Sequence, residues 1–143
     1  MKKLHILSLL LLLLVQLINA QPNKRTNFWY FNDSIGLNFN SGVPVEDFSG
    51  MVHSHQGGAS TICDTNGSLM FYSTGKWVWN RNHEIMEDGY GGASFYPGTQ
   101  GALCMPKPDS DSLYYIFTSR HYESDNPMFY YIVNMASNNG LGQ

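Results

Sequence analysis

Short hydrophobic, aromatic-rich stretches run along this chain, and polar turn-forming residues separate them. Aromatic residues joined by tight turns are typical of half-buried strands, and the aromatic-rich, Asn/Ser/Gly-rich composition leaves little material for long amphipathic helices. The pattern therefore predicts an all-β protein. The expected strands are residues 27–31, 37–39, 59–63, 69–73, 76–79, 101–106, 113–119 and 129–134, with a loop over 43–58.

The strongest turn signal joins the strands at 59–63 and 69–73. Asp64 can accept hydrogen bonds from the turn with its carboxylate, and Asn66-Gly67 can take the positive φ angles that a tight hairpin requires. The alternating oxygens could also start a calcium loop, but such a loop needs a carboxylate near its twelfth position, and Gly75 stands there. The sequence therefore predicts a structural turn.

Two strand groups repeat at a spacing in the low forties. Gly58-Ala59 corresponds to Gly101-Ala102, 43 residues later, and Ser68-Leu69 corresponds to Ser112-Leu113, 44 residues later. This is the period of a β-propeller blade, although two generic hairpins of a sandwich would give a similar match. A closed ring needs at least four blades, so the pattern predicts about two blades of a truncated propeller, with residues 27–39 as an outer strand and the remainder on a longer chain.

The N-terminal twenty residues have the features of a secretory signal peptide. Lys2 and Lys3 precede an apolar core over residues 4–17, and Ala20 offers a small residue at the cleavage point. We therefore predict a signal-peptide helix over 1–20 and a partial propeller-like domain over 21–143. The core is short for a bilayer span, although an uncleaved anchor is the alternative. The mature chain is expected outside the cell or on its outer surface, meeting a membrane only on the secretion route.

Charge narrows the choice of partners. Removal of Lys2 and Lys3 leaves six of the eight basic residues against eleven acidic ones, and Lys24-Arg25 is the only adjacent basic pair. Nucleic-acid binding depends on clustered cations that displace phosphate counterions. The composition therefore argues against nucleic acid as a partner and leaves an extracellular glycan or protein.

Several motifs in order resemble the opening of a family of exported Bacteroidetes proteins. They are Phe28-Trp29-Tyr30-Phe31, Gly36-Leu37-Asn38-Phe39, Asp64-x-Asn66-Gly67-x-Leu69-x-Phe71-Tyr72, Val78-Trp79-Asn80-Arg81-Asn82-His83, Pro106-Lys107-Pro108 and Tyr114-Tyr115-Ile116-Phe117-Thr118. The resemblance implies a propeller-like region that precedes repeat domains and a gliding-motility-associated, type IX secretion sorting domain. It implies cell-surface display, adhesion or binding of extracellular polymers, and no catalytic residues. The sorting domain is absent from these 143 residues.

Aromatic side chains are the candidate binding residues. Trp77 and Trp79 are expected to share one face of their strand, and Tyr90, Phe95 and Tyr96 fall in the Gly-rich stretch 89–98. Such rings can stack on sugars or anchor a protein partner, while the alternative for the tryptophans is to fill the space between blades.

Catalytic and metal chemistry have weaker signals. The carboxylates fall mainly in predicted turns, where they are not opposed across a cleft, and no nucleophile elbow is present. His53 and His55 with Cys63, His83 or His121 match no zinc-ligand spacing. We therefore predict a non-catalytic module without metal or cofactor. The alternative is the start of a secreted sialidase- or glycosidase-like propeller enzyme. The sequence leaves open whether Cys63 and Cys104 form a disulfide.

Overall fold

The computed structural model describes residues 23–31, 34–52, 58–90, 101–119 and 128–143. These residues form three antiparallel sheets in chain order, with neighbouring strands paired in sequence. We call them the first sheet (β1–β3), the second sheet (β4–β7) and the third sheet (β8–β10). The strands are β1 Phe28–Tyr30, β2 Gly36–Asn38, β3 Val45–Asp47, β4 Ser60–Cys63, β5 Leu69–Ser73, β6 Trp77–Asn80, β7 Ile85–Tyr90, β8 Leu103–Pro106, β9 Leu113–Ser119 and β10 Met128–Asn134, and a 3-10 helix follows at Asn138–Gly140.

The all-β prediction is confirmed, with three differences in detail. Strand β3 lies inside the segment expected to be a loop, and β7 extends through residues that were not expected to form a strand. Residues 27–39 contribute two strands of a separate three-stranded sheet instead of one outer strand. The predicted signal-peptide helix lies outside the described residues.

The second sheet is covered on both faces by its neighbours in the chain. Adjacent residues of its strands point to opposite faces and so pack against different sheets. Tyr72 and Trp79 pack with Tyr30 and Val52 beside the first sheet, and we call this contact the first interface. Phe71 lies on the opposite face, in a cluster with residues of the third sheet, and we call this contact the second interface. That cluster comprises Ile62, Phe71, Met86, Ala102, Tyr114, Ile116, Val133 and Met135.

A β-bulge shifts the alternation at the start of β5. Ile62 pairs with Phe71 but the next residue, Cys63, pairs with Leu69, so Met70 is the extra residue. The shift explains why Leu69 packs at the first interface although it is two residues from Phe71, and why Met70 packs at the second interface.

Hydrogen bonds between side chains strengthen the first interface. The Tyr30 hydroxyl donates to Asp47 (3.0 Å), and the Tyr72 hydroxyl accepts from the Met51 N–H (3.0 Å) and lies 3.1 Å from Nδ1 of His83. Burial raises the pKa of Tyr72 to about 12 and that of Tyr30 further. Both hydroxyls therefore stay protonated at physiological pH. The bond from Met51 to Tyr72 joins the segment after β3 to the second sheet, whereas the bond from Tyr30 to Asp47 fixes β1 to β3 within the first sheet.

The second interface brings two backbones unusually close. Gly75 has a φ of +85°, and a Cβ at this position would overlap the Gly101 carbonyl and the Thr118 hydroxyl. The Thr118 hydroxyl donates to the Gly101 carbonyl within the third sheet (2.7 Å), and across the interface the Cys104 N–H donates to the Ser60 hydroxyl (2.9 Å) and the Cys104 sulfur lies 3.6 Å from the Ser60 carbonyl. The third sheet is thus held against the second through polar contacts as well as through the apolar cluster.

Cys63 and Cys104 are free thiols in this structure, which answers the question that the sequence left open. Cys63 is fully buried, and its backbone N–H donates to the Arg25 carbonyl beside the first sheet (2.8 Å). The Cys104 sulfur lies 3.6 Å from the Ser60 carbonyl at the second interface. Burial raises the pKa of both thiols, to about 12 for Cys104. Each interface therefore contains one unreactive thiol.

A candidate ligand-binding cleft

The predicted aromatic residues occupy different environments in the second sheet. Trp79 is 5% exposed and stacks on Tyr72, with ring centroids 5.2 Å apart and planes 13° from parallel. Trp77 is half-buried and packs against the same cluster, so the two tryptophans share a face. The structure places Trp79 in the space-filling position. Phe95 and Tyr96 lie outside the described residues.

Tyr90 is the predicted aromatic residue that reaches a surface cleft. It ends β7 rather than lying in a loop, pairs in register with Trp77, and is 44% exposed. The rings of Trp77 and Tyr90 have centroids 4.3 Å apart and an angle of 30° between their planes. Because Trp77 packs at the first interface, the Tyr90 ring lies on that face of the second sheet, and Tyr90 borders the cleft where β7 ends.

The cleft has a volume of about 290 Å³ and lies where β7 of the second sheet faces β10 of the third. Its apolar floor belongs to the second interface, and its rim carries two tyrosines, an ammonium group, two carboxylates and an amide. The floor residues are Val78, Met86, Ile116 and Val133, and the rim residues are Lys76, Glu87, Asp88, Tyr90, Tyr131 and Gln143.

An irregularity in β7 creates the acidic side of the rim. Trp77 pairs with Tyr90 but Trp79 pairs with Ile85, so β7 contains more residues than the strand segment opposite it. The chain bends at Asp88, which has a φ of 56°, and at Gly89, where a Cβ would lie 2.9 Å from the Val78 carbonyl oxygen. The bend carries the carboxylates of Glu87 and Asp88 to the rim of the cleft.

Sequence reasoning identified Tyr90 and missed the rest of the cleft. Asp88-Gly89 is a turn-forming pair inside a strand, and this was the signal for the irregularity in β7. Tyr131 follows Tyr130 directly, and one of two neighbouring residues in a strand must face the core. The pair was therefore a signal that an aromatic residue lies at the second interface, but its position opposite β7 depends on how the sheets pack.

The turn residues take the roles that the hairpin requires. The Asp64 carboxylate accepts from the N–H groups of Asn66 (2.8 Å) and Ser68 (2.9 Å). Gly67 has a φ of +91°, and its carbonyl accepts from the side-chain amide of Asn40 (2.8 Å). The turn lies away from the cleft-lining residues and connects the second sheet to the end of β2.

Metal binding and membrane crossing can be assessed for the described ranges. Among residues 23–31, 34–52, 58–90, 101–119 and 128–143, no three or more His, Cys, Asp or Glu side chains are grouped so that they could hold a metal ion. His53, His55 and His121 lie outside these ranges. Over the same part of the chain, no helix has the length and apolar character needed to cross a membrane.

Comparison of the chain with protein-family models, with curated proteins and with solved structures finds no match.

The chemistry of the cleft suits a ligand with both apolar and hydroxylated faces. Tyr131 offers aromatic surface, Glu87 and Asp88 offer hydrogen-bond acceptors, and Lys76 offers a donor. Concave sites with an apolar lining and a few polar groups at the rim are the usual form of small-ligand sites. A pyranose ring, with C–H groups on its faces and hydroxyls at its edge, has this combination of surfaces.

Proposed function

We propose that this chain is an exported, non-catalytic interaction module that binds a neutral sugar unit of an extracellular polymer in the cleft between β7 and β10. The observation that carries the proposal is the combination of Tyr131 with hydrogen-bond acceptors and a donor around a cleft of about 290 Å³ that has an apolar floor. Export follows from the signal-peptide pattern of residues 1–20. Display at the outer cell surface would bring the cleft into contact with such polymers.

The arrangement of the carboxylates favours binding over hydrolysis. Glycoside hydrolysis uses two carboxyl groups on opposite sides of the scissile bond, about 5–10 Å apart. The carboxylates of this cleft, Glu87 and Asp88, are adjacent in β7 and belong to the same side. They are placed to accept hydrogen bonds from one sugar, and the proposal therefore assigns them to recognition.

The stacking of the sheets supports a finer architecture. Each sheet is a meander of three or four antiparallel strands, and the second lies between the first and the third. The first strands are also neighbours, since β1 contacts β4 and β4 contacts β8. This is how consecutive propeller blades are arranged around an axis, and we propose propeller-like blades on that basis. With the resemblance to gliding-motility-associated proteins, this suggests a surface adhesion role and delivery by type IX secretion.

Sugar binding can be tested with a matched pair of tyrosines in β10. Tyr131 lines the cleft, and its neighbour Tyr130 projects from the opposite face of the same sheet. The full chain, purified after export, is screened against neutral oligosaccharides, and the best ligand is measured by calorimetry. We expect Tyr131→Ala to weaken binding by about tenfold, equivalent to about 1.4 kcal/mol, and Tyr130→Ala to leave the affinity unchanged.

Two results would overturn the proposal. One is the absence of binding to any neutral oligosaccharide, and the other is an equal loss of affinity in Tyr130→Ala and Tyr131→Ala. Incubation of the bound sugar with the protein provides a further check. Release of new reducing ends that stops in Glu87→Gln would establish hydrolysis in place of simple binding.

A further inference from the structure

The third sheet carries an apolar face that points away from the second interface. Two rows of cross-strand neighbours form it, and we call the six residues together the outer face. The rows are Leu103, Phe117 and Tyr130, and Met105, Tyr115 and Ile132. Their exposed fractions are 53% for Leu103, 60% for Tyr130 and 50% for Ile132. None of the six is charged, and contiguous apolar surface of this kind marks an interaction site.

The aromatic rings of the outer face are already ordered against one another. Tyr115 packs against Tyr130 in an edge-to-face arrangement, with ring centroids 5.7 Å apart. Phe117 lies 5.6 Å from Tyr115 and 6.2 Å from Tyr130. A partner would therefore meet a preformed aromatic surface, with little side-chain entropy to lose on contact.

The outer face corresponds by position to the face of the second sheet that packs against the third sheet. Ile62 pairs with Phe71 in the second sheet, and Met105 pairs with Tyr115 in the third. Met105 follows Ile62 by 43 residues and Tyr115 follows Phe71 by 44, which is the spacing of the sequence repeat. Ile62 is 3% exposed and Phe71 0%, because the third sheet packs on them.

The opposite faces correspond in the same way. Thr61 pairs with Tyr72 on the side of the second sheet that meets the first sheet, and the Thr61 hydroxyl accepts from the Tyr30 N–H (3.3 Å). Cys104 pairs with Ile116 on the side of the third sheet that meets the second. Each repeat therefore has one face that packs on the preceding sheet and one that packs on the following sheet. In the third sheet, the face in this second position is the outer face.

We propose that the outer face packs against a further antiparallel sheet of the same repeat, carried on the same exported polypeptide. The sheet would place small or aliphatic residues against Met105 and Leu103, as Ala102 and Ile116 are placed against the second sheet. The lack of charge on the outer face makes anionic lipid a poor match, because binding there depends on basic residues. A sugar is also a poor match, because it requires convergent polar groups. The inference extends the stacking in the proposed function and does not depend on the sugar-binding cleft.

Oxidative footprinting of the protein as its own cell exports it tests this inference. Tyr130 is 60% exposed in the described structure and Tyr90 is 44% exposed. These values alone predict that hydroxyl radicals label Tyr130 faster than Tyr90 when no sugar is present. If a further sheet covers the outer face, the order reverses, and Tyr130 and Phe117 lose labelling to the level of buried Phe71. Labelling of Tyr130 at or above the rate of Tyr90 would overturn the proposal.

A photo-crosslinker identifies what covers the face. Tyr130→p-benzoylphenylalanine in the exported protein is expected to form an intramolecular crosslink to a segment with the same strand repeat. A crosslink to a second copy, to lipid or to an unrelated protein would contradict the proposed occupant, as would no crosslink at all. Sugar affinity is measured on the same sample, so that an open outer face with intact sugar binding refutes this inference alone. Loss of sugar binding with a covered face refutes only the proposed function.

Discussion

At the scale of single residues, glycines with positive φ mark positions where a side chain would strain the backbone. Gly67 at φ +91° and Gly42 at φ +85° both lie in the left-handed region, but their surroundings differ. A Cβ on Gly67 would overlap the side-chain amide of Asn40, whereas nothing lies within 4 Å of the corresponding position on Gly42. The two glycines therefore separate the cost of backbone strain from the cost of a steric clash.

We expect Gly42→Ala to lower the free energy of unfolding by about 1–2 kcal/mol, the cost of a left-handed alanine. Gly67→Ala should lower it by more, because Asn40 must also move and its hydrogen bond to the Gly67 carbonyl is disturbed. Urea denaturation of the full chain measures both values. Equal losses would show that the contact between the hairpin and Asn40 contributes nothing.

A second residue-scale prediction concerns the carboxyl group of Asp47. Burial alone would raise its pKa, but hydrogen bonds from the Ser49 hydroxyl, the Ser49 N–H and the Tyr30 hydroxyl lower it below 3.8 overall. Because the folded state then holds the proton less tightly than the unfolded state, stability from this group is complete above the unfolded pKa. It is lost as the pH falls through the folded pKa.

The free energy of unfolding of the wild type should therefore drop more steeply than that of Asp47→Asn below about pH 4. Denaturant titrations at several acidic pH values measure the two slopes. Asn at this position retains an acceptor for Ser49 but does not titrate, which makes it the matched control. Parallel pH curves for the two proteins would exclude the assigned role of Asp47.

At the scale of elements, two tryptophans on one face of the second sheet have different environments. Trp77 and Trp79 lie on the same face, but Trp79 is buried against Tyr72 and Trp77 is half-buried beneath Tyr90. Their positions predict different consequences for substitution. Trp79 holds the first interface together, whereas Trp77 supports the exposed Tyr90 ring at the end of β7.

Trp79→Ala should lower the free energy of unfolding by about 3–5 kcal/mol, as for other large aromatic residues removed from a core. Trp77→Ala should cost less than about 2 kcal/mol, because the ring is only partly buried. Urea denaturation of both variants measures the two losses. A larger stability loss in Trp77→Ala than in Trp79→Ala would contradict this assignment.

The predictability of these elements from sequence depends on where their stabilisation arises. Strands such as β5 and β9 are rich in aromatic residues, and the turn at Gly67 carries its own signal, so the local sequence was sufficient. Strand β3 has the sequence Val-Glu-Asp, which has low strand propensity, and pairing with β2 holds it in place. Strand β7 is likewise held by its pairing with β6.

The cleft was predictable only at Tyr90, for a related reason. Its two sides come from β7 and β10, and their approach depends on the packing of Phe71 against Tyr114 at the second interface (5.6 Å between ring centroids). No local pattern encodes that approach. The repeat spacing predicted two strand groups, but it did not predict which faces of the groups would meet.

At the scale of the whole molecule, two interfaces share one sheet, and each contains a thiol. The adjacent residues Phe71 and Tyr72 point into different interfaces, so substitution of either one weakens one interface directly. Cys63 lies beside the first sheet and Cys104 lies at the second interface. Thiol labelling in the native state can therefore show whether the interfaces open separately or together.

We expect separate opening, because stacked repeats are stabilised mainly by contacts between neighbours. Phe71→Ala should speed labelling of Cys104 by a disulfide reagent more than labelling of Cys63, and Tyr72→Ala should have the reverse effect. The raised pKa of both thiols keeps labelling of the closed state slow, so that the rate reports opening. Variants with Cys63→Ser or Cys104→Ser assign each rate to its residue. Equal acceleration of both thiols in both variants would mean that the three sheets open as one cooperative unit, and the second sheet would then have to unfold before either interface could separate.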